Sequence, residues 1–136
     1  MTTNDDPARE SAPVLRLSIL PESFSICQLP AGAPIPAWAL SGSFFSITRT
    51  RDELSLVCPA AAVPNGVQAE SGWRGLKVEG PLDFALVGIL ARLAGALARA
   101  GVSLFAISTY ETDYILVKAE QLSKAVKALS EAGCVF

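Results

Sequence analysis

Six consecutive side chains that carry oxygen, residues 108–113, form the part of this sequence best suited to chemistry or to recognition. They lie between two apolar segments in LFAISTYETDYILV, residues 104–117. Hydroxyls and carboxylates at this density fit a catalytic site, a site for a polar ligand, or a solvated turn in which Asp, Ser and Thr hydrogen-bond to their own backbone. Asp113 differs from its neighbours because it begins an apolar strand, where an acid usually has a partner.

Catalysis is the least favoured of these three uses. The sequence has no histidine, which removes the commonest general base and any Ser–His or Cys–His nucleophile pair. Glu111 and Asp113 are both expected near a water-facing hairpin, whereas a catalytic carboxylate pair needs two contrasting environments. The phosphate-binding patterns GxGxxG and GxxxxGK[ST] are also missing from the sequence. We therefore expect a protein that is not an enzyme.

The composition disfavours several other kinds of site. Cys27, Cys58 and Cys134 are far apart and lack a CxxC spacing, so we expect neither a zinc site nor a disulfide framework. Each is interpreted as a small buried hydrophobe under reducing, cytoplasmic conditions. A net charge of −2 with scattered Lys and Arg gives no basic surface for nucleic acid. No metal and no cofactor are expected.

The most apolar segment, FALVGILARLAGALA (84–98), raises the question of a membrane span. It has Arg92 near its centre and is shorter than the roughly 20 residues that cross a bilayer. We therefore predict a buried helix and no membrane association. Small residues form a ridge along it, which fits either intramolecular packing or the seam of a homodimer. The ridge consists of Gly88, Ala91, Gly95 and Ala98.

The second half of the chain has the pattern of alternating strands and helices that is typical of a ferredoxin-like sandwich. β-Branched and aromatic residues predict strands, and leucines at helical spacing predict helices. Asp83 is the expected N-cap of the first helix, which Gly101 ends, and the final CVF leaves room for a short last strand. The order is βαββαβ, an α+β fold. Strands are predicted over 72–80, 102–109 and 112–118, and helices over 84–100 and 119–133.

The first half repeats this unit in a reduced form. FSITRTRDELSLV (45–57) aligns on FAISTYETDYILV (105–117) at a fixed offset of 60 residues, with Glu53 on Asp113. Prolines between the strands of the first half forbid a long helix and leave at most a turn around Trp38. PAAAVP, residues 59–64, stands where the second helix would be. We interpret the first half as a degenerate copy that kept its hairpin and lost its helices.

These two units are expected to share one core or one continuous sheet. A unit of about 60 residues is marginal alone, and one without helices cannot cover its own sheet. We predict a polar, disordered tail over 1–13, which lacks the basic and apolar layout of a signal peptide. The degenerate unit is predicted over 14–72 and the complete unit over 73–136.

The segment EGPLDFALVGILARLAGALARAGVSLFAISTYETDYILV (79–117) resembles an ACT domain, the small βαββαβ module that binds amino acids. Its end, AGVSLFAISTYETDYILV, is similar to the tandem-ACT group of aspartate-kinase-like regulators, which includes cytosolic arginine sensors and small stand-alone bacterial proteins. The resemblance extends over residues 14–136. It implies two ferredoxin-like ACT units, the first with degenerate helices. No kinase, dehydrogenase or synthase domain accompanies them, so regulation of a fused enzyme is not expected.

By this resemblance, ligands lie where the loop and first helical turn after strand one face the hairpin between strands two and three of a neighbouring unit. Free amide groups at a helix start suit a carboxylate, and Gly88 lets a ligand approach the backbone closely. Asp113 can accept hydrogen bonds from an ammonium or a guanidinium group. The expected ligand-binding residues are Phe84, Val87, Gly88, Ile89, Ser108, Thr109, Tyr110, Thr112 and Asp113.

The predicted function is therefore a regulatory module that binds a small molecule, in the first place a free amino acid. It is expected to act through its own assembly, as a homodimer, or through a partner enzyme or regulator. The alternative is a protein–protein assembly module with no small-molecule ligand, in which the apolar helix serves association. A small enzyme is the third and least favoured possibility.

Overall fold

The computed structural model describes residues 14–80 and 88–136. Within them, six strands form one antiparallel sheet in the order β2-β3-β1-β4-β6-β5. Two α-helices and three 3₁₀ turns complete the described elements. The bounds are β1 Leu17–Leu29, β2 Ser46–Arg49, β3 Leu54–Pro59, β4 Gln68–Val78, α1 Ile89–Arg99, β5 Leu104–Ser108, β6 Asp113–Lys118 and α2 Leu122–Glu131.

Both long strands, β1 and β4, belong to both halves of the sheet. At its start β1 pairs with the end of β4, Leu17 opposite Val78, and at its end it pairs with β3, Leu29 opposite Leu54. Each half thereby has the strand order of a ferredoxin-like unit: β2-β3-β1-β4 in the first and β5-β6-β4-β1 in the second. The predicted pair of units on one continuous sheet is confirmed, whereas the division at residue 72 stays a prediction.

The loss of helices from the first half is confirmed. Where the second half has α1 and α2, the first has two single 3₁₀ turns, Ala37–Ala39 and Ala60–Ala62. A proline precedes each turn, Pro36 and Pro59, because proline fits the first position of a helical turn but cannot continue a helix. The first of these turns contains Trp38, as predicted.

The repeat itself is offset by 59 residues, not by the predicted 60. In the first hairpin the last paired residues are Arg49 and Leu54, and in the second they are Ser108 and Asp113. Asp113 is therefore the counterpart of Leu54 and not of Glu53. The error of one residue matters, because it moves every side chain of a strand to the other face of the sheet.

Within the described residues, α1 begins at Ile89, directly after Gly88, whose φ of 83° is left-handed and cannot belong to an α-helix. The predicted start of this helix at residue 84 lies outside the described residues. Asp83, the expected N-cap, lies outside the described residues. The chain reverses after Arg99, and the predicted stop at Gly101 agrees with this end. No helix of the described ranges is long and apolar enough to cross a membrane.

Apolar side chains pack on both faces of the sheet. α1 and α2 cover the second half on one face, over what we call the helix-side core. The opposite face carries a second cluster, the rear core, to which both halves contribute. The two 3₁₀ turns cover a smaller third cluster in the first half. The helix-side core includes Leu76, Leu93, Leu97, Ile115 and Leu129, and the rear core consists of Phe24, Phe44, Val57, Trp73 and Leu116.

Candidate functional site

The polar run forms the turn between β5 and β6. The backbone N–H of Thr109 donates to the carbonyl of Thr112 at 2.8 Å, and the Thr109 hydroxyl donates to the same oxygen at 3.1 Å. The Thr112 N–H in turn donates to the Thr109 hydroxyl at 3.3 Å. The Thr109 side chain is thus engaged in closing the turn, as expected of a threonine at a hairpin tip.

Thr112 fixes this hairpin to the end of β4. Its hydroxyl donates to the Val78 carbonyl at 2.6 Å, and the residue is only 5% exposed. A buried hydroxyl needs such a partner, and the contact places the hairpin tip beside the end of β4. Thr112 therefore positions the site and has no donor left for a ligand.

Asp113 is the one partly buried carboxylate of the run. It is half-buried at the first position of β6, and its Oδ1 accepts a hydrogen bond of 2.5 Å from the Ser108 hydroxyl. Ile115, two residues further on, lies in the helix-side core, so Asp113 faces the same side of the sheet as α1. The carboxylate keeps other lone pairs for a second donor, and no ion pair with a Lys or Arg of the described residues neutralises it.

The start of α1 lies on that side of the sheet. Ile89 is 7% exposed and belongs to the helix-side core, as Val78 does. The side chain of Ile89 is therefore structural, and only its backbone is left for recognition. Among the described residues, nothing comes within 4 Å of a Cβ built on Gly88, so the positive φ of this residue, not close approach, accounts for the glycine.

The other expected ligand-binding residues contribute less to this arrangement. Phe84 and Val87 lie outside the described residues. Tyr110 is 83% exposed at the hairpin tip. Of the remaining six residues, four lie in the β5–β6 hairpin and two lie at the start of α1. Those residues are Gly88, Ile89, Ser108, Thr109, Thr112 and Asp113.

Sequence patterns did not reveal the contacts on the rear face of the sheet that support this site. The connection before β2 crosses the rear face, where the Phe44 ring stacks on Tyr114 with centroids 4.3 Å apart. Glu22 anchors this connection, accepting hydrogen bonds from the N–H of Ser43 at 2.8 Å and from its hydroxyl at 2.5 Å. Both bonds favour the ionised carboxylate and lower the pKa of Glu22. An aromatic residue in a glycine-serine segment, SGSFF (41–45), is the one sequence signal that could have indicated this connection.

The cysteines do not take part in the site. All three are free and buried, as the sequence predicts. Burial disfavours the thiolate, which raises the pKa of Cys58 to about 11 and also raises the pKa values of Cys27 and Cys134. Within 14–80 and 88–136, no three His, Cys, Asp or Glu side chains are grouped so as to hold a metal ion.

Comparison with known proteins finds a matching domain model for each half of the chain. The model of the ACT domain matches residues 68–131, and a second model, of a domain described as N-terminal, matches residues 22–66. The cytosolic arginine sensor for mTORC1 subunit 1 of Pongo abelii is 27% identical in an alignment 132 positions long, gaps included, that covers 88% of this chain and 39% of that protein. The chain thus spans about two fifths of the length of this curated relative.

Solved structures agree with this result. A protein of Agrobacterium tumefaciens is 40% identical and superposes with a TM-score of 0.86 over 91% of this chain and 92% of its own. The ligand-free regulatory subunit of aspartate kinase from Thermus thermophilus gives a TM-score of 0.63 over 88% of this chain and 99% of its own. Its identity is 15%, so it shows the shared fold alone.

Proposed function

Because this chain belongs to the ACT-domain family, we propose that it is a regulatory module that binds a free amino acid beside the β5–β6 hairpin. It catalyses no reaction itself and acts through its own assembly or through a partner protein in the cytoplasm. The observation that carries the proposal is Asp113, a half-buried carboxylate on the helix side with one neutral hydrogen-bond donor.

A free amino acid has groups that match both parts of this site. Its carboxylate fits the first turn of α1, where the amide groups after Gly88 have no acceptor within the helix and no side chain of the described residues caps them. An ammonium or guanidinium group fits Asp113, since charge-assisted hydrogen bonds to a sheltered carboxylate contribute about 1.5–3 kcal/mol each. The Ser108 hydroxyl holds the Asp113 carboxylate in place.

The acidic character of the site favours a cationic amino acid, and arginine is the first candidate. The curated relative is named as an arginine sensor, and that name supports the same choice. A neutral amino acid presents only its α-ammonium to Asp113, so it forms fewer charge-assisted bonds there. We expect arginine or lysine to bind more tightly than citrulline, which has the shape of arginine without its charge.

A thermal-shift screen with the common amino acids tests the proposal. A ligand that binds the folded state alone raises the melting temperature by mass action, by an amount equivalent to about 2.7 kcal/mol at one hundred times its Kd. Asp113→Asn should abolish the shift and leave the melt without ligand nearly unchanged. Glu111→Gln, two residues away and exposed, is the matched control and should keep it. A chain that responds to no amino acid at millimolar concentration would refute amino-acid binding.

The alternative of a pure assembly module has its own support in the helix layer. The outer face of α1 exposes Ala91 and Ala98, and a cleft of about 300 Å³ lies between the two helices, bordered by Arg99 and Glu131. Such a face suits a second copy, because the cation of one copy meets the acid of the other across a two-fold axis. Ala98→Arg should then abolish a dimer measured by sedimentation, with no effect of amino acids.

A further inference from the structure

Arg49, the last residue of β2, donates hydrogen bonds to residues outside its own hairpin. Its Nη1 donates to the Ala31 carbonyl, and its Nη2 donates to the Ala33 carbonyl at 2.7 Å. The turn that presents these carbonyls is closed separately by a 3.0 Å bond from the Ala33 N–H to the Pro30 carbonyl. The guanidinium therefore spans the gap between the first hairpin and the connection that follows β1.

The candidate site lies at the equivalent position of the second half, beside the second hairpin. Arg49 pairs with Leu54 at the end of the first hairpin, and Ser108 pairs with Asp113 at the end of the second. The two turns are closed alike, since Thr50 N–H donates to the carbonyl three residues on at 2.9 Å, as Thr109 does at 2.8 Å. Arg49 and Ser108 are thus equivalent positions 59 residues apart.

The equivalence extends to the facing strand. Leu29 is paired with Leu54, and the Val78 carbonyl lies beside the second hairpin through its bond to Thr112. Ala31 follows Leu29 by two residues, as Gly80 follows Val78, so the carbonyl that Arg49 binds has its counterpart at the mouth of the candidate site. Side chains that pair across strands share a face, and Leu54 lies under the 3₁₀ turns as Asp113 lies on the side of α1.

We infer that the first half retains the counterpart of the candidate site and that the chain's own Arg49 closes it. The guanidinium takes the place of the cationic end of a ligand, and Leu54, which is fully buried, replaces the carboxylate that would pair with that end. In the second half the equivalent position carries the short side chain of Ser108, and Asp113 supplies the charge. The protein accordingly takes up one cationic ligand per chain, in its second half.

The first experiment is independent of the proposed function. Arg49→Ala should lower the melting temperature by a few degrees, because it leaves two carbonyl oxygens without their donor. Methylguanidinium chloride at millimolar concentration, compared with equal sodium chloride, should then raise the melting temperature of the double variant Arg49→Ala/Asp113→Asn but not of Asp113→Asn alone, since without the Asp113 carboxylate only the double variant has a vacant place for the cation. An equal response of both proteins, or no response of the double variant, would overturn the inference.

The second experiment moves the closure to the other half and rests on the proposed function. Ser108→Arg gives the second hairpin the residue of the first and should abolish the thermal shift with arginine, without lowering the melting temperature of the unliganded chain. Ser108→Ala, which keeps a short side chain at this position, is the control and should keep a shift with arginine. If Ser108→Arg responds like the wild type, the equivalence of the two places is wrong. If the wild type responds to no amino acid, the proposed function fails, and the methylguanidinium experiment still decides the inference.

Discussion

The ring of Phe44 stacks on the ring of Tyr114, with centroids 4.3 Å apart and planes inclined by 29°. Phe44 also meets Phe24 edge-on at 5.9 Å, so it joins the two halves in the rear core. Tyr114 follows Asp113 directly on β6. The first half thus supports the strand that carries the candidate site, and a change in the position of this strand on ligand binding would be felt by the connection before β2.

Truncation of Phe44 should destabilise the whole chain. Phe44 is 8% exposed, and Phe44→Ala removes a buried ring and leaves a cavity, which costs about 3–5 kcal/mol. Its neighbour Phe45 is 41% exposed, so Phe45→Ala is the matched control, with a loss of about 1 kcal/mol or less. Urea unfolding measures both. Equal losses in the two variants would mean that Phe44 does not hold the rear core together.

We expect the free energy of unfolding to decrease in acid as Glu22 becomes protonated. Its pKa in the folded chain is below the ordinary 4.5 because Ser43 donates two hydrogen bonds to the ionised form. A lowered pKa contributes stability above the unfolded value, and this contribution is lost as the pH falls through the folded pKa. Glu22→Gln should therefore be less stable than the wild type at pH 7, with the difference shrinking below about pH 4.5.

Exposed Glu120 provides the control for this pH dependence. Glu120→Gln should follow the wild-type curve of unfolding free energy against pH, measured by urea titration at each pH. A difference between Glu22→Gln and the wild type that stays constant from neutral pH into acid would contradict the assigned role of the Ser43 bonds.

Removal of the Thr112 hydroxyl should loosen the hairpin from β4. Thr112→Val keeps the shape of the side chain but leaves the Val78 carbonyl without its 2.6 Å bond, at a cost of about 1–3 kcal/mol for a buried group. Thr48, exposed on β2, is the control, and Thr48→Val should change stability by about 0.5 kcal/mol or less. Hydrogen exchange at β6 should be faster in Thr112→Val alone.

The buried thiols should be inert in the folded chain and should limit stability in alkali. With a pKa of about 11, the Cys58 thiol is ionised in only about one molecule in a thousand at pH 8. A thiol reagent should therefore react slowly with the folded chain and fast with all three cysteines in urea. Because the thiolate is favoured only after unfolding, stability should decline above about pH 9. Rapid reaction of three thiols without denaturant would contradict this.

The elements of the fold could be predicted from the sequence because local patterns determine them. β-Branched and aromatic residues predicted the second hairpin, the repeat predicted the first, and prolines predicted the loss of helices in the first half. The offset of the repeat was wrong because the alignment matched residue types, Phe45 with Phe105 and Ile47 with Ile107. Register is set instead by hydrogen bonds across the sheet, where Ile47 packs under the 3₁₀ turns and Ile107 packs on the rear core.

The candidate site was predictable in part for a related reason. Asp113 and Ser108 are neighbours across a tight hairpin, so the local sequence pattern is enough to predict that they lie close together. The bond from Thr112 to Val78 joins residues 34 positions apart, and the contacts of Arg49 reach back to Ala31 and Ala33. Such partners depend on the strand order of the sheet, which no short pattern contains.

The strands β1 and β4 each begin in one unit and end in the other. Neither unit can therefore be cut out, exchanged between proteins or lost without leaving its twin short of a strand. The second unit thus holds the first in place through these shared strands. The first unit can lose its helices and have its ligand position filled by Arg49, because the second unit still needs the strands that the two have in common.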